Sequence, residues 1–222
     1  MATPAPSLTT TSSSYLGAAG HLTPTTTSAS PKPSSSSPSS TSFEFPREYH
    51  FPPFFTRQPN QNTRHSQLSK WASLVLSYCA YHRLYKLSLT APATAELFHN
   101  RRIDRRLALA DAREVLEFMQ RDGRAEFVAA RGGGDDDEGG DVAWIYWRTP
   151  DEWAALVEAW VDETAQKGTV LTLYELSQGE ATIGTEFHGL DLELLQKALQ
   201  VLVKRNKAQI FGQEDQLGVK FF

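Results

Sequence analysis

Few side chains in this 222-residue sequence stand at spacings that support chemistry. Cys79 and His82 are three apart, so on a helix they share a face, as a thiolate–imidazole pair or two metal ligands would. Both fall on an apolar stripe, however, and that setting favours a buried structural pair. His50, His65, His99 and His188 are scattered. Asp135, Asp136, Asp137 and Glu138 concentrate negative charge but lack the alternating ligands and closing glutamate of a calcium loop. They read as a solvated loop. Gly184 to Gly189, GTEFHG, neither follows a strand nor opens a helix as a phosphate-cradling turn must. It reads as a loop anchored by Phe187, His188 and Leu190. Asn100 to Arg106, NRRIDRR, packs four arginines together. This is either a solvated turn or helix end, or a surface for phosphate or an acidic partner. No HExxH motif occurs, and the reading is of a non-enzyme with no catalytic residue, cofactor or metal site.

Composition narrows the class further. Lys and Arg number 22 against 26 Asp and Glu, a formal charge of −4. That argues against a protein whose main task is to coat nucleic acid or an anionic membrane. A single cysteine excludes a disulfide framework and a multi-thiolate zinc site. No run approaches the roughly 18 apolar residues of a membrane span, and the N-terminus lacks a secretory pattern. A soluble cytosolic or nuclear protein is expected.

The elements that would position these residues follow from pattern. In residues 1–42, 28 positions are Ser, Thr or Pro and the only charge is Lys32. Such a tail cannot offset its ordering entropy and is expected to be disordered. Residues 131–141, RGGGDDDEGGD, form a flexible acidic loop. Between and after these breaks the periodicity is helical. Leu68, Trp71, Ala72, Val75, Tyr78, Cys79 and His82 recur at steps of three and four. Thr149-Pro150-Asp151-Glu152 has a capping box, with Trp153, Leu156, Val157, Trp160 and Val161 following on one face. Asp111 and Glu114 suggest a second capping box, Gly123 a helix stop, and Asp191 the start of a last helix. Strand-like pieces lie at 87–90, 126–128, 142–147, 170–173, 208–211 and 217–222.

The two halves repeat one order: long helix, short strand, short helix, helix, hairpin. From Thr90 to Phe127 is 37 residues and from Thr172 to Phe211 is 39. The expected fold is therefore α+β, mainly α: two tandem winged-helix domains, at 61–149 and 150–222, with the acidic loop at the first wing's tip. The third helix of each unit is where nucleic acid would be read. In the first, Arg113 and Arg121 face Asp111, Glu114, Glu117 and Asp122. In the second, Lys197, Lys204 and Arg205 are set against Asp191 and Glu193. Neither is a basic reading helix, which leaves a nucleic-acid-binding or transcription-associated winged helix as the alternative only.

The most unusual segment is the arm at 43–60, FEFPREYHFPPFFTRQPN. Its prolines hold it extended and remove backbone donors. Its rings carry too much apolar area to float free in water, each worth about 1.5–3 kcal/mol on burial. On physics alone it docks either on the chain's own first domain or in a partner's pocket.

In their order along the chain, FPPFFTRQPN at 51–60, Trp71 with LVLSYC at 74–79, LFHN at 97–100, YWRTPDEW at 146–153, TLYELSQGE at 172–180, EFHGL at 186–190 and the closing GVKFF resemble one family. It is the vacuolar protein sorting-associated protein twenty-five family, the small subunit of the endosomal sorting complex ESCRT-II. The likeness runs from Phe43 to Phe222 and leaves out the tail and the acidic loop. It implies a non-catalytic adaptor that sorts ubiquitinated membrane cargo to multivesicular bodies. It implies that Phe51, Pro52, Pro53, Phe54 and Phe55 enter apolar pockets on two larger ESCRT-II subunits, with two copies of this chain in the assembly. It further implies that the second winged helix recruits a charged helical ESCRT-III subunit. The chain would be cytoplasmic and reach the endosome membrane indirectly.

Overall fold

The computed structural model describes residues 42–128, 141–212 and 217–222. The expected tail, apart from Ser42, and nearly all of the acidic loop, including Asp135 to Glu138, lie outside the described residues.

Two short 3-10 turns, Arg47–His50 and Pro52–Phe55, lead into α1 (Gln61–Tyr81), whose first turn is capped by the Asn60 side chain. Then follow β1 (Lys86–Ser88), α2 (Ala95–Phe98), β2 (His99–Asn100), β3 (Arg105–Arg106), α3 (Leu109–Arg121), β4 (Ala125–Phe127) and β5 (Val142–Ile145). The second half runs α4 (Pro150–Glu163), β6 (Val170–Thr172), α5 (Leu173–Gln178), α6 (Leu192–Lys204), β7 (Ala208–Phe211) and β8 (Gly218–Phe221). The sheets have equivalent strand orders, β1-β5-β4 and β6-β8-β7, all antiparallel. Each half thus sets a first strand beside the last strand of a hairpin, under three helices.

The four long helices end in one way. Arg83, Gly123, Ala165 and Asn206 have φ of 51°, 69°, 55° and 57° just beyond α1, α3, α4 and α6. In each case the next residue's N–H returns to a carbonyl five residues back, as in Leu84 to Cys79 at 2.8 Å and Gln166 to Val161 at 2.9 Å. This is the left-handed cap that satisfies the last carbonyls of a helix.

Two apolar clusters result. Trp71, Val75 and Cys79 of α1 pack on Val115, Leu116 and Met119 of α3 and on Leu87, Ala143 and Ile145. Trp153, Val157 and Trp160 of α4 pack on Leu194, Leu195, Leu199 and Leu202 of α6 and on Val219 and Phe221. Strand β5 and its extension alternate between them: Ala143 and Ile145 face the first cluster, Trp144 and Tyr146 the second. The two-residue period of a strand lets one segment close both cores.

Three local expectations need correction. The Asp111–Glu114 capping box does not form. Helix α3 starts earlier, behind Ala108, with no side-chain cap. Glu114 instead holds Arg64, and Arg57 at 3.5 Å. His82 is exposed and ends α1, so it does not share the burial of Cys79. The arginine-rich stretch is a solvated turn at 101–104 closed by a short β-hairpin, β2 paired with β3, and not a helix end. By contrast the Thr149 capping box, the Asp191 cap and the Gly123 stop are all present.

Candidate functional site

The arm shows how proline-rich chain becomes structure. Its backbone has few donors, so its carbonyls are satisfied by side chains of the body. Trp71 Nε1 donates to the Phe54 carbonyl at 3.0 Å, and Gln67 Nε2 donates to the carbonyls of Phe54 at 2.8 Å and Thr56 at 2.9 Å. Asn100 Nδ2, buried at the start of the arginine hairpin, donates to the Tyr49 carbonyl at 2.6 Å. Tyr49 Oη donates to the Glu96 carbonyl.

The rings divide by direction. Phe54 lies flat on Trp71, with centroids 4.4 Å apart and planes 6° apart, and Phe55 meets the same indole edge-on at 5.4 Å. Phe45 stacks on Tyr49 at 4.0 Å. Phe54 is 6% exposed and Phe55 4%. Both belong to the first core, packed on the chain's own Trp71. Phe51, 59% exposed, faces solvent with Pro52 and Pro53. A 3-10 turn has three residues per revolution, so four neighbouring residues cannot share one side. Of the five residues expected to dock, three are thus on offer and two hold them in place.

A second outward apolar surface lies in the C-terminal half. Val170, Tyr174, Leu192 and Phe211 are exposed, Tyr174 at 70%. They line a groove of about 640 Å³ between β6, α5, α6 and β7. The end of α5 nearest the groove is fixed by a capping box: Glu175 N–H donates to Thr172 Oγ1 at 3.1 Å and Thr172 N–H to Glu175 at 2.7 Å. That backbone bond, followed by the Thr172 hydroxyl, holds the Glu175 carboxyl below its ordinary value. Gly218 lies directly beneath Phe211: a Cβ there would stand 2.9 Å from the ring, which would have to shift outward.

Between the halves, charge is matched inside a ring of aromatics. Lys197 of α6 reaches Glu126 at 2.7 Å and Tyr146 Oη at 2.9 Å, and Tyr146 Oη donates to Glu126 at 2.5 Å. Lys86 lies over the Trp144 ring at 4.3 Å and meets Glu193 at 3.0 Å. One edge of α6, at Glu193 and Lys197, is therefore tied to the first sheet, while Gln200, Val203 and Lys204 stay exposed. Arg205, just past α6, bonds Asp151 at 2.9 Å. Of the three basic groups at this helix, Lys197 and Arg205 are paired with carboxylates.

Cys79 is fully buried, and burial pushes its thiol up to about 12, away from the thiolate a nucleophile needs. His188 is held by Thr182 Oγ1 at 2.9 Å, while Phe187 and Leu190 anchor the GTEFHG loop in the second core, as the sequence indicates. Among the described residues no group of three His, Cys, Asp or Glu side chains is set to hold a metal ion, and no helix is long and apolar enough to cross a membrane.

The fold and these surfaces define a mixed α+β protein of two repeated helix–hairpin units, presenting apolar side chains outward at a stiff arm and a groove. The chain belongs to the ESCRT-II family: the family described as ESCRT-II complex subunit matches residues 48–191. It is 43% identical over 180 residues to vacuolar protein-sorting-associated protein 25 of Xenopus laevis, covering 81% of this chain and 99% of that one. The Homo sapiens protein of the same name is 42% identical over 181 residues, covering 82% and 98%. A crystal structure of subunit VPS25 of the endosomal trafficking complex ESCRT-II superposes with a TM-score of 0.70 at 31% identity, covering 80% of this chain and 98% of that one. A crystal structure of the endosomal complex ESCRT-II (VPS22/VPS25/VPS36) contains a chain that matches with a TM-score of 0.68 at 31% identity, over 80% and 98%.

Proposed function

We propose that this chain is a non-catalytic adaptor of ESCRT-II, built from two winged-helix domains at 61–149 and 150–222. It docks on the two larger ESCRT-II subunits through the arm, with two copies in the assembly, and takes part in sorting ubiquitinated membrane cargo to multivesicular bodies. The observation that carries the reading is the arm's division of labour. Phe54 and Phe55 are locked on Trp71, which fixes Phe51, Pro52 and Pro53 outward as a stiff apolar edge. An edge already rigid loses little entropy on binding, and a large exposed ring beside prolines is the kind of group a partner's pocket buries. The groove around Tyr174 and Phe211 supports recruitment of a charged helical ESCRT-III subunit by the C-terminal half. The chain would be cytoplasmic and meet the endosome membrane through its partners.

The test is co-purification of the full chain with the larger subunits. Phe51→Ala with Pro53→Ala should lower the captured amount at least tenfold while the melting temperature stays within about a degree, because both residues are exposed. Wild-type capture by that double variant would remove the arm from the interface.

A further inference from the structure

The first sheet carries a charged row on the face turned to the second half. Lys86 of β1 and Glu126 of β4 are both register partners of Trp144 in β5. Partners across strands share a face, so a cation, an indole and a carboxylate stand side by side. Helix α6 presents the opposite order. Glu193 and Lys197 are four residues apart and lie on one face of the helix. Glu193 meets Lys86 at 3.0 Å, and Lys197 meets Glu126 at 2.7 Å. The buried Trp144 ring lies beneath both cations, 4.3 Å from the Lys86 ammonium and 5.3 Å from that of Lys197. Tyr146, next along the same side of β5, donates to Glu126 and accepts from Lys197.

The rest of the seam is less selective. Trp147 lies between Tyr85 at 5.6 Å and Trp153 at 5.1 Å. Tyr85 Oη and Trp153 Nε1 are buried there without a hydrogen-bond partner among the described residues, so the rings add area without adding direction. Arg83 donates to the His188 carbonyl at 3.1 Å, and Arg124 reaches Glu152 at 3.3 Å. Apolar burial is non-directional and would hold the halves together at several angles.

We infer that the row Lys86, Trp144, Glu126 and the pair Glu193, Lys197 form a charge-coded key that fixes the angle at which the second half sits on the first. Partly exposed ion pairs add little attraction. Their weight lies in what they forbid. Sliding α6 by one turn, about 5.4 Å, sets Lys197 against Lys86 in one direction and Glu193 against Glu126 in the other. Like charges then meet over a buried indole, and only one register avoids this. Glu193 also lines the Tyr174 groove, so the key and that groove share a wall. The key thereby sets the angle between the groove and the outward edge of the arm. It acts in the free chain and does not depend on what either surface binds.

The experiment places nitroxides on α3 and α4 of the full chain, at Glu117→Cys and Ala159→Cys, both exposed, while the buried Cys79 stays unlabelled. Double electron–electron resonance reads their separation. The unaltered key should give one narrow distance distribution. Exchanging the charges on α6 alone, Glu193→Lys with Lys197→Glu, should about double its width. Exchanging the row as well, Lys86→Glu with Glu126→Lys, makes every pair opposite again and should restore most of the narrow distribution. Lys86→Met with Lys197→Met removes the cations without adding repulsion, and should broaden the distribution by about half. It decides the matter if the α6 exchange fails to fold. A distribution as narrow as the original in the α6 exchange, or in the methionine variant where that exchange does not fold, overturns the inference. So does a fourfold exchange that keeps the helical dichroism of the original yet stays broad, since opposite signs alone would then not set the angle.

Discussion

Phe54→Ala separates a residue that holds the arm from one that offers it. The ring is 6% exposed and stacks face to face on Trp71. Truncating a buried Phe removes its transfer energy and leaves a void, about 3–5 kcal/mol in well-packed sites. Here the lower end applies. Phe54 borders the two shallow clefts on either side of the arm, lined by Lys70 and by Phe45 or Phe51, so water and neighbouring chain can enter the space. The hydrogen bonds from Trp71 and Gln67 end on the Phe54 carbonyl and survive the change. A loss of about 3 kcal/mol lowers the melting temperature by about 6–12 °C in a chain of this size. Calorimetry of the full chain checks the shift, and near-ultraviolet dichroism reports the altered packing of Trp71. Phe51→Ala should leave both signals unchanged. An unaltered melting temperature for Phe54→Ala, together with lost capture of the larger subunits, would refute the reasoning: the ring would then be facing a partner and not Trp71.

Three further outcomes follow from single features. Ala165 holds φ of 55° without being glycine, so Ala165→Gly should stabilise the chain by about 0.5–1 kcal/mol in denaturant titration, while the same exchange at an exposed mid-helix site such as Ala155 should destabilise it. Cys79 should resist iodoacetamide at pH 8 in the native chain and react within minutes in denaturant, because burial raises its thiol to about 12; fast native labelling would contradict the packed core around it. Burial works against charge on Glu126, but the hydrogen bonds from Lys197 and Tyr146 outweigh it and hold the carboxyl below its ordinary value. A carboxylate lowered in the folded state stabilises above its unfolded pKa and loses that contribution as pH falls through the folded one. The melting-temperature gap between wild type and Glu126→Gln should therefore be widest above about pH 5 and close toward pH 3, and a gap that widens on acidification would contradict the pairing.

What was legible in the chain was whatever is encoded locally. Steps of three and four around Trp71 and Trp153, the Thr149-Pro150-Asp151-Glu152 cap and the turn at Gly123 each state their structure within a few residues. The repeat was legible because both halves use the same sequence of elements. What failed was decided by competition across the fold. Glu114 has the spacing of a capping residue, yet Arg64, fifty positions earlier, takes its carboxylate. His82 sits on the apolar stripe by spacing, but α1 ends there, and its ring stays exposed against Tyr78 and Tyr81 and outside the core. Three of the four left-handed helix caps are Arg83, Ala165 and Asn206, where no glycine marks the turn. The arm was undecidable in the same way: six rings demand burial, but only the position of Trp71 fixes which of them turn inward.

The same competition decides which edge of α6 is tied to the first half of the chain. A winged helix reads nucleic acid with the outward flank of its third helix. In this chain the Glu193 and Lys197 edge of α6 meets the first sheet, where Trp144 and Tyr146 project because Ala143 and Ile145 are needed in the first core, and Gln200, Val203 and Lys204 stay exposed. The strand's two-residue period leaves no other choice: packing Ala143 and Ile145 inward commits their neighbours to the opposite side, and two large aromatics there must be covered. Helix α6 covers them, with Lys197 and Glu193 paired to Glu126 and Lys86 across the seam. Apolar residues that this packing leaves outside, Tyr174, Leu192 and Phe211, lie on the groove beyond the seam. Burying the outward face of β5 thus ties one edge of α6 to the first sheet and leaves Val170, Tyr174, Leu192 and Phe211, with Glu193 and Gln196 among them, as an open and mainly apolar groove.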